Sequence, residues 1–445
     1  PVRSAVVGLG CGNLYYQVNI MMVFALIDGN CFYCSCEQVF KPSLKGKPLI
    51  VLSNNDGCAI SRTDEAKALG IAMGAPWFQI KHLESRGLVG LSANFPLYGD
   101  MSERMMRIIS RFSPFQEVYS IDESFLDLSG IMQDMTQYGQ QIRHEILRDT
   151  GIPTCVGIGP TKTLAKLANH MAKKQQQWNG VCDLTALTRQ DLARAMRNIK
   201  AGDVWGIGRK ISQRLNDMKI FTALDLARLN PETARKKFSI VLGKTIQELR
   251  GTPKIAFETD MEPKKQIISS RSFGIPITSM QQLAAAISTF TAIACEKLRQ
   301  QGSMAGGISV FIRTSPFRPE KQYSASHFVS LDYPSSDTIT HTQAALSALQ
   351  KIFRPGFNYA KARVMLLDIE DTQMIQQSLF SIEPEYEKRE KLMSTLDSIN
   401  RQFGKNTLKI AATGIHAKEN WYMRQERKTQ GYTTNWNELM VARAS

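Results

Sequence analysis

The sequence predicts an α+β protein of several domains, and three observations predict it. At 445 residues the chain exceeds what one hydrophobic core organises, so roughly three or four domains are expected. Between residues 22 and 159 the apolar patterning reads β-α-insert-α-β-β-α-β, the order of a ferredoxin-like split βαβ sheet. Beyond about residue 188 short helices take over, and a second mixed α+β unit follows after residue 266.

The elements follow in order. "SAVVGLGCGN" (4–13) imitates a dinucleotide-binding turn, but Asn13 replaces the third glycine and no crossover helix fits before the next strand. Residues 1–21 are therefore expected to be an extension outside the fold. "MVFALID" (22–28) reads as a buried strand ending in a carboxylate, and "NCFYCSCEQVF" (30–40) as a helix. A strand lies within "KPSLKGKPLIVLSNNDG" (41–57), and "SRTDEAKALG" (61–70) is a short helix ended by Gly70. Helices are expected at 96–112 and 134–147 and a strand at 153–159, with "YSIDESFLDL" (119–128) as a hairpin. "GTPKIAFETDMEPKKQ" (251–266) reads as an extended charged linker, and a polar helix is expected at 385–402.

Composition limits the functions. Hydrophobic residues make up 43% and charged residues 21%, as in globular proteins, and no apolar run reaches the ~18 residues of a membrane span. The net charge of +15 favours a polyanionic partner such as nucleic acid. Cys31, Cys34 and Cys36 lack a second ligand pair at zinc-finger spacing, so they read as small buried thiols in a reducing cytoplasm.

The chemistry gathers around "YSIDESFLDL". On a regular strand Asp122 and Glu123 would face opposite ways, so they converge only if the chain turns there. An isolated Asp-Glu pair also fits a solvated turn; a third carboxylate and phosphate-binding residues decide the matter. In a split βαβ sheet the end of the first strand, Asp28, lies beside that hairpin. Three carboxylates at two strand ends suit two Mg²⁺ ions about 4 Å apart. "GIGPTKTLAKLAN" (157–169) places glycines before a helix with Lys162 in its first turn, an arrangement that favours phosphate, and "SRTDEAKALG" adds Ser61, Arg62 and Lys67. "VWGIGRKISQRL" (204–215) has Gly206 and Gly208 ahead of Arg209 and Lys210, a helix-hairpin-helix pattern whose turn amides hold a DNA phosphate.

Together with "ALIDGNCFYCSCE", "LSNNDGCAISRTDEAKALGI", "SRSFG" and "IRTSPF", these segments resemble the Y-family translesion DNA polymerases, the bacterial UmuC type in particular, over roughly residues 23–445. The resemblance implies a palm (23–38 and 97–187), small fingers (39–96), a helical thumb with the helix-hairpin-helix (188–256), an α+β little finger (265–372) and a C-terminal region (373–445). It implies that Asp28, Asp122, Glu123 and the Gly29 carbonyl hold two Mg²⁺ ions. Tyr33 takes the place of the sugar gate that blocks a 2′-hydroxyl. Ser61, Lys67 and Lys162 match triphosphate contacts, and Asn54 and Ile60 the roof over the nascent base pair. Asp64 stands where many relatives carry a triphosphate-contacting tyrosine, so that contact is not carried over. Gly206, Gly208, Arg209, Lys210, Arg271 and Ser272 are the implied DNA-binding residues.

"QQSLF" (376–380) resembles a sliding-clamp-binding peptide, with Gln376, Leu379 and Phe380 as its anchors. The implied activity is error-prone, template-directed addition of dNMP to a primer 3′-hydroxyl in the SOS response, without a proofreading exonuclease. The implied partners are primer-template DNA, dNTP, the sliding clamp, a cleaved UmuD-type dimer and the RecA filament, in the cytoplasm at the nucleoid and with no membrane. Two other readings stand beside it. A nucleotidyl cyclase also uses a ferredoxin-like sheet and two metals, and a clamp-recruited DNA-binding protein without activity would share the basic charge.

Overall fold

The computed structural model describes residues 2–6, 17–259, 262–372, 386–414 and 423–439. It divides into two compact units, one of residues 1–52, 58–261 and 427–445, the other of residues 53–57 and 262–426. The fold is mixed α+β. Among the described residues no helix is long and apolar enough to cross a membrane.

In the first unit, β1 (Val2–Val6) and β2 (Gln17–Met21) pair only with each other among the described strands. Then come β3 (Phe24–Gly29) and α1 (Phe32–Phe40). An insert follows: β4 (Leu49–Leu52), β5 (Ala59–Arg62), α2 (Asp64–Ala68), α3 (Trp77–Ile80) and β6 (Val89–Ser92). The chain returns through α4 (Phe95–Ile109), β7 (Gln116–Val118), β8 (Glu123–Asp127), α5 (Met135–Thr150), β9 (Thr154–Gly159), α6 (Lys162–Lys174) and β10 (Val181–Asp183).

The main sheet has the order β10-β9-β3-β8-β7. In the run β9-β3-β8-β7 each strand is antiparallel to its neighbours, and β10 is added parallel to β9. That is the ferredoxin-like order predicted from the pattern of the sequence. Every residue of β3 is buried because both faces of the sheet are covered. Ala25 and Ile27 share a core with Leu97, Met105, Ile142 and Ile146 of α4 and α5. Phe24 and Leu26 face the other way and pack with Phe125 and with Ala165 of α6. By the period of two, Asp28 shares the α6 face.

Helix α6 lies unusually close to β9. A Cβ on Gly157 would meet the Asn169 amide nitrogen at 2.1 Å and the Ala165 carbonyl oxygen at 2.3 Å, and one on Gly159 would meet the Ala165 amide at 3.0 Å. These glycines therefore serve helix-on-sheet packing. The insert forms a three-stranded sheet, β5-β4-β6, with β6 at an edge. Five short helices follow: α7 (Arg189–Arg197), α8 (Arg209–Asp217), α9 (Ala223–Arg228), α10 (Pro231–Lys237) and α11 (Ile240–Leu249). Thr188, Thr222, Asn230 and Ser239 start four of them by accepting bonds from first-turn amides.

The stretch read as a linker is a loose connector only in part. Phe257 stacks on Phe24 at 5.8 Å, the Ala256 carbonyl accepts from Lys162, and the Glu258 amide donates to Glu117. An apolar "IAF" inside a charged stretch was the signal that this part would dock.

The second unit holds β11 (Ile267–Ile277), α12 (Met280–Gln300), β12 (Ser303–Thr314), β13 (Ser324–Ser335), α13 (Thr338–Ile352), β14 (Tyr359–Asp371) and α14 (Tyr386–Phe403). Its sheet, β11-β14-β12-β13, is antiparallel throughout, and Leu283, Ile287, Phe290 and Leu349 of α12 and α13 fill its core. Arg299 of α12 grips Asp397 of α14 with two bonds of 2.7 and 2.8 Å.

Gly157→Ala should destabilise the protein by about 3 kcal/mol or more, since backbone rather than a pliable side chain blocks the added methyl. Thermal unfolding measures it; an unchanged melting temperature would show that α6 can lift from β9.

Candidate active site

Asp28 is the next-to-last residue of β3 and Glu123 begins β8, and the two are paired directly across the ladder. Residues so paired project from the same face with Cβ atoms about 5 Å apart. Asp122 sits one residue earlier, in the turn, and its carbonyl accepts from the Gly29 amide at 2.8 Å. The Ser120 hydroxyl organises that turn. It donates to the Asp122 carboxylate at 2.7 Å and accepts from the amides of Asp122 and Glu123 at 3.3 and 3.1 Å. The chain thus turns at the acidic pair, as the reading of the sequence required.

Helix α6 supplies the counter-charges. Lys173 reaches Asp28 at 2.5 Å, and Lys166 reaches both oxygens of Glu123 at 3.0 and 3.2 Å. The two lysines are seven residues apart and share a helix face. Sequence reasoning missed both; the i, i+7 spacing on an otherwise buried helix was the available signal. Burial pushes the Asp28 carboxyl up to about 7 against the pull of Lys173, with Glu123 and Asp122 adding repulsion.

This donor set fits a divalent cation. The ligands are oxygens, and the cost of burying the Asp28 carboxylate beside Glu123 and Asp122 is only partly offset by Lys173. Among the described residues no three acidic, Cys or His side chains already close a cage.

Tyr33 lies in the first turn of α1 and stacks on Tyr98 at 4.6 Å between ring centroids. Burial raises the pKa of its phenol, and the charge of Asp122 raises it further. Ser61 is buried and fixes the start of α1, accepting from the Cys34 amide and donating to the Cys31 carbonyl at 3.4 and 3.2 Å. Cys31 takes a left-handed φ of 47° there. Lys67 is half-exposed, 2.7 Å from Asp64 and 3.3 Å from the Cys31 thiol. Ile60 packs against the same core as Tyr33.

Lys162 is placed differently from the expectation. It is buried, held by both oxygens of Glu117 at 2.6 and 2.7 Å, and bonded to the Ala256 carbonyl. The start of α6 is not open to a phosphate either. Glu248 of α11 accepts there from the Thr163 amide at 3.0 Å, and the Thr161 hydroxyl accepts from Leu164 as the cap. A protein carboxylate occupies the place foreseen for the anion, and Lys162 neutralises a second one. Local sequence announced neither, since Glu117 and Glu248 lie 45 and 85 residues from their partners.

Gly206 adopts φ +85° and Gly208 caps α8, leaving Arg209 and Lys210 exposed in its first turn. Asn54 opens a 3-10 turn that belongs to the second unit, as do Arg271 and Ser272 of β11. Gln376, Leu379 and Phe380 lie outside the described residues. The thiols of Cys34 and Cys36 are buried, as expected, whereas Cys31 is only partly buried.

Comparison with known proteins adds the following. The impB/mucB/samB family model matches residues 27–170, its C-terminal domain matches 264–379, and a domain of unknown function (DUF4113) matches 390–442. Protein UmuC of Salmonella typhimurium is 44% identical over 94% of this chain and 99% of its own. Protein ImpB of Salmonella typhimurium is 41% identical over 95% and 100% of the two chains. DNA polymerase IV of Oceanobacillus iheyensis is 26% identical over 91% and 95%. A Y-family DNA polymerase chimera of Dbh and Dpo4 superposes with a TM-score of 0.62 at 22% identity, over 79% of this chain and all of that one. An insertion ternary complex of Dbh DNA polymerase gives a TM-score of 0.53 at 21% identity, again over 79% of this chain and all of that one.

Two predictions follow from the charges. Asp28→Asn should raise the melting temperature of the metal-free protein at pH 8 and lose that advantage towards pH 5. Because the folded carboxyl titrates near 7 rather than at 3.8, the folded state binds the extra proton between these values, and its stability falls as pH rises through the window. A variant that is no more stable than the parent at pH 8 would refute the buried charge. Lys162→Met should cost about 3–5 kcal/mol by stranding Glu117. It should leave the KM for nucleotide within about twofold, whereas Lys173→Ala should raise it about tenfold or more; the reverse ranking would restore Lys162 to the site.

Proposed function

The chain belongs to the impB/mucB/samB family of Y-family DNA polymerases, and on that premise we propose that it is the catalytic subunit of an error-prone translesion enzyme of the SOS response. It is a DNA-directed DNA polymerase whose substrates are primer-template DNA and dNTP. The observation that carries the detailed reading is the direct pairing of Asp28 with Glu123, with Asp122 in the adjoining turn.

Asp28, Asp122, Glu123 and the Gly29 carbonyl would hold two Mg²⁺ ions. Bound there, such ions lower the pKa of the primer 3′-hydroxyl and stabilise the departing phosphate oxygen. The primer oxygen bonds to the α-phosphorus as the bond to pyrophosphate breaks, and most of the catalysis comes from positioning and charge. Lys173, beside Asp28, takes the triphosphate-facing role first read for Lys162. Lys67 lies on the insert as a second cation for it. Tyr33 excludes a 2′-hydroxyl by its bulk. Ile60 would cover the nascent base pair.

The domain reading follows the same premise. The five-stranded sheet is the palm, the insert the fingers, helices α7 to α11 the thumb, and the sheet of the second unit the little finger. Gly206, Gly208, Arg209 and Lys210 would hold a DNA phosphate at the start of α8, and Arg271 and Ser272 another along β11. Gln376, Leu379 and Phe380 would dock the sliding clamp. The name UmuC on a 44% identical relative supports a cleaved UmuD-type dimer as partner. The SOS reading adds the RecA filament and action at the nucleoid. Likeness over nearly the whole length of polymerase relatives leaves the cyclase and the inactive scaffold without a supporting observation.

Primer extension is the test. Asp122→Ala with Glu123→Ala should reduce dNMP addition at least about a thousandfold. Chelation of divalent ions should stop synthesis, and added Mg²⁺ should restore it. Extension that survives the double substitution would remove the site from these residues.

A further inference from the structure

Part of the domain of unknown function has a defined place. Within the first unit, Arg427 lies along the edge strand β6. The Ser92 amide donates to its carbonyl at 3.1 Å, and its own amide donates to the Ser92 hydroxyl at 2.9 Å. Its guanidinium reaches Glu84 at 2.6 Å and covers the Trp77 ring. Asn94 then donates to the carbonyls of Thr429 and Gln430 at 3.4 and 3.0 Å, and Tyr432 stacks on Phe40 of α1 at 4.8 Å and 6°.

The central contact lies inside the protein. Glu37 of α1 is 0% exposed, and one oxygen of its carboxylate accepts from two hydroxyls, Tyr98 at 2.6 Å and Thr429 at 3.2 Å. Its other oxygen has no partner among the described residues. A buried carboxylate so sparsely served depends on each bond it has. Glu37 is one helical turn beyond Tyr33, and Tyr98, which it holds, is the ring on which Tyr33 stacks.

We infer that residues 427–432 form a strap that positions the sugar gate: Thr429 and Tyr98 clamp Glu37, and the fixed Tyr98 ring sets the place of Tyr33. The segment is built into this face of the fold. Ser92 and Asn94 are buried polar residues that take partners from it, so its loss would strand them. The inference rests on the reading of Tyr33 as the gate, and it gives the C-terminal segment a part in choosing the sugar. Thr429 is thus a positioning residue, distant from the reacting atoms.

The test measures kcat/KM for dNTP and for the matching rNTP in primer extension by the full chain. Thr429→Val keeps the shape and removes the hydroxyl; Thr429→Ser keeps the hydroxyl. Thr429→Val should lower the preference for dNTP about five- to tenfold, the scale of one buried hydrogen bond, mainly through faster rNTP use. Thr429→Ser should retain the preference. Equal losses with both nucleotides would mean a purely structural role, and an unchanged ratio would mean no role; either overturns the strap. A serine variant that behaves like the valine one overturns it as well. Tyr33→Ala, run alongside, separates the premises. If it admits rNTP while Thr429→Val does not, the gate stands and the strap falls. If it changes nothing, both fall.

Discussion

The register of β3 against β8 is the constraint on which the site depends. Asp28 and Glu123 face each other because Phe24 pairs with Asp127 four residues away and every pair between keeps step. A slip of one residue would turn Leu26 and Phe125 towards the wrong helices and carry Asp28 to the α4 and α5 side of the sheet. Apolar burial on both faces fixes the register, and the register fixes the acids. The placement of the two acids is in this sense a by-product of a core that tolerates one alignment.

The second organising feature is the distribution of charge around α6. Burying carboxylates is costly unless something answers them. The helix answers at three levels: Lys162 to Glu117, Lys166 to Glu123 and Lys173 to Asp28. The first pair is sealed, 3% and 8% exposed; the other two are more open and hold the two paired acids. One helix thus supplies both a structural ion pair and the cations of the site, and its amino end is closed by Glu248 from α11.

Much of this was legible in the sequence. The β-α-insert-α-β-β-α-β order, the turn at Asp122 and Glu123, and Asp28 as the third acid follow from period-two patterning and the geometry of a split βαβ sheet. The glycines before α6 misled. Gly157 and Gly159 read as a phosphate cradle, yet they are small because helix and strand backbones nearly touch. Lys162 misled with them. Partners far away in sequence decide which lysine is buried and which faces the acids, and no local pattern reports them. The docked half of the 251–266 stretch and the contacts of residues 427–432 were hidden for the same reason.

The two faces of β3 lead to different parts of the molecule. Its even-numbered side chains, ending in Asp28, belong with α6 and its lysines, a block held rigid by backbone-to-backbone contact at Gly157. The aromatic residues Tyr33 and Tyr98 belong with α1 and α4; Tyr98 is fixed by its hydroxyl bond to the interior Glu37 carboxylate, and Tyr33 stacks on it. On the proposed reading, turnover and choice of sugar fall to separate mechanical parts.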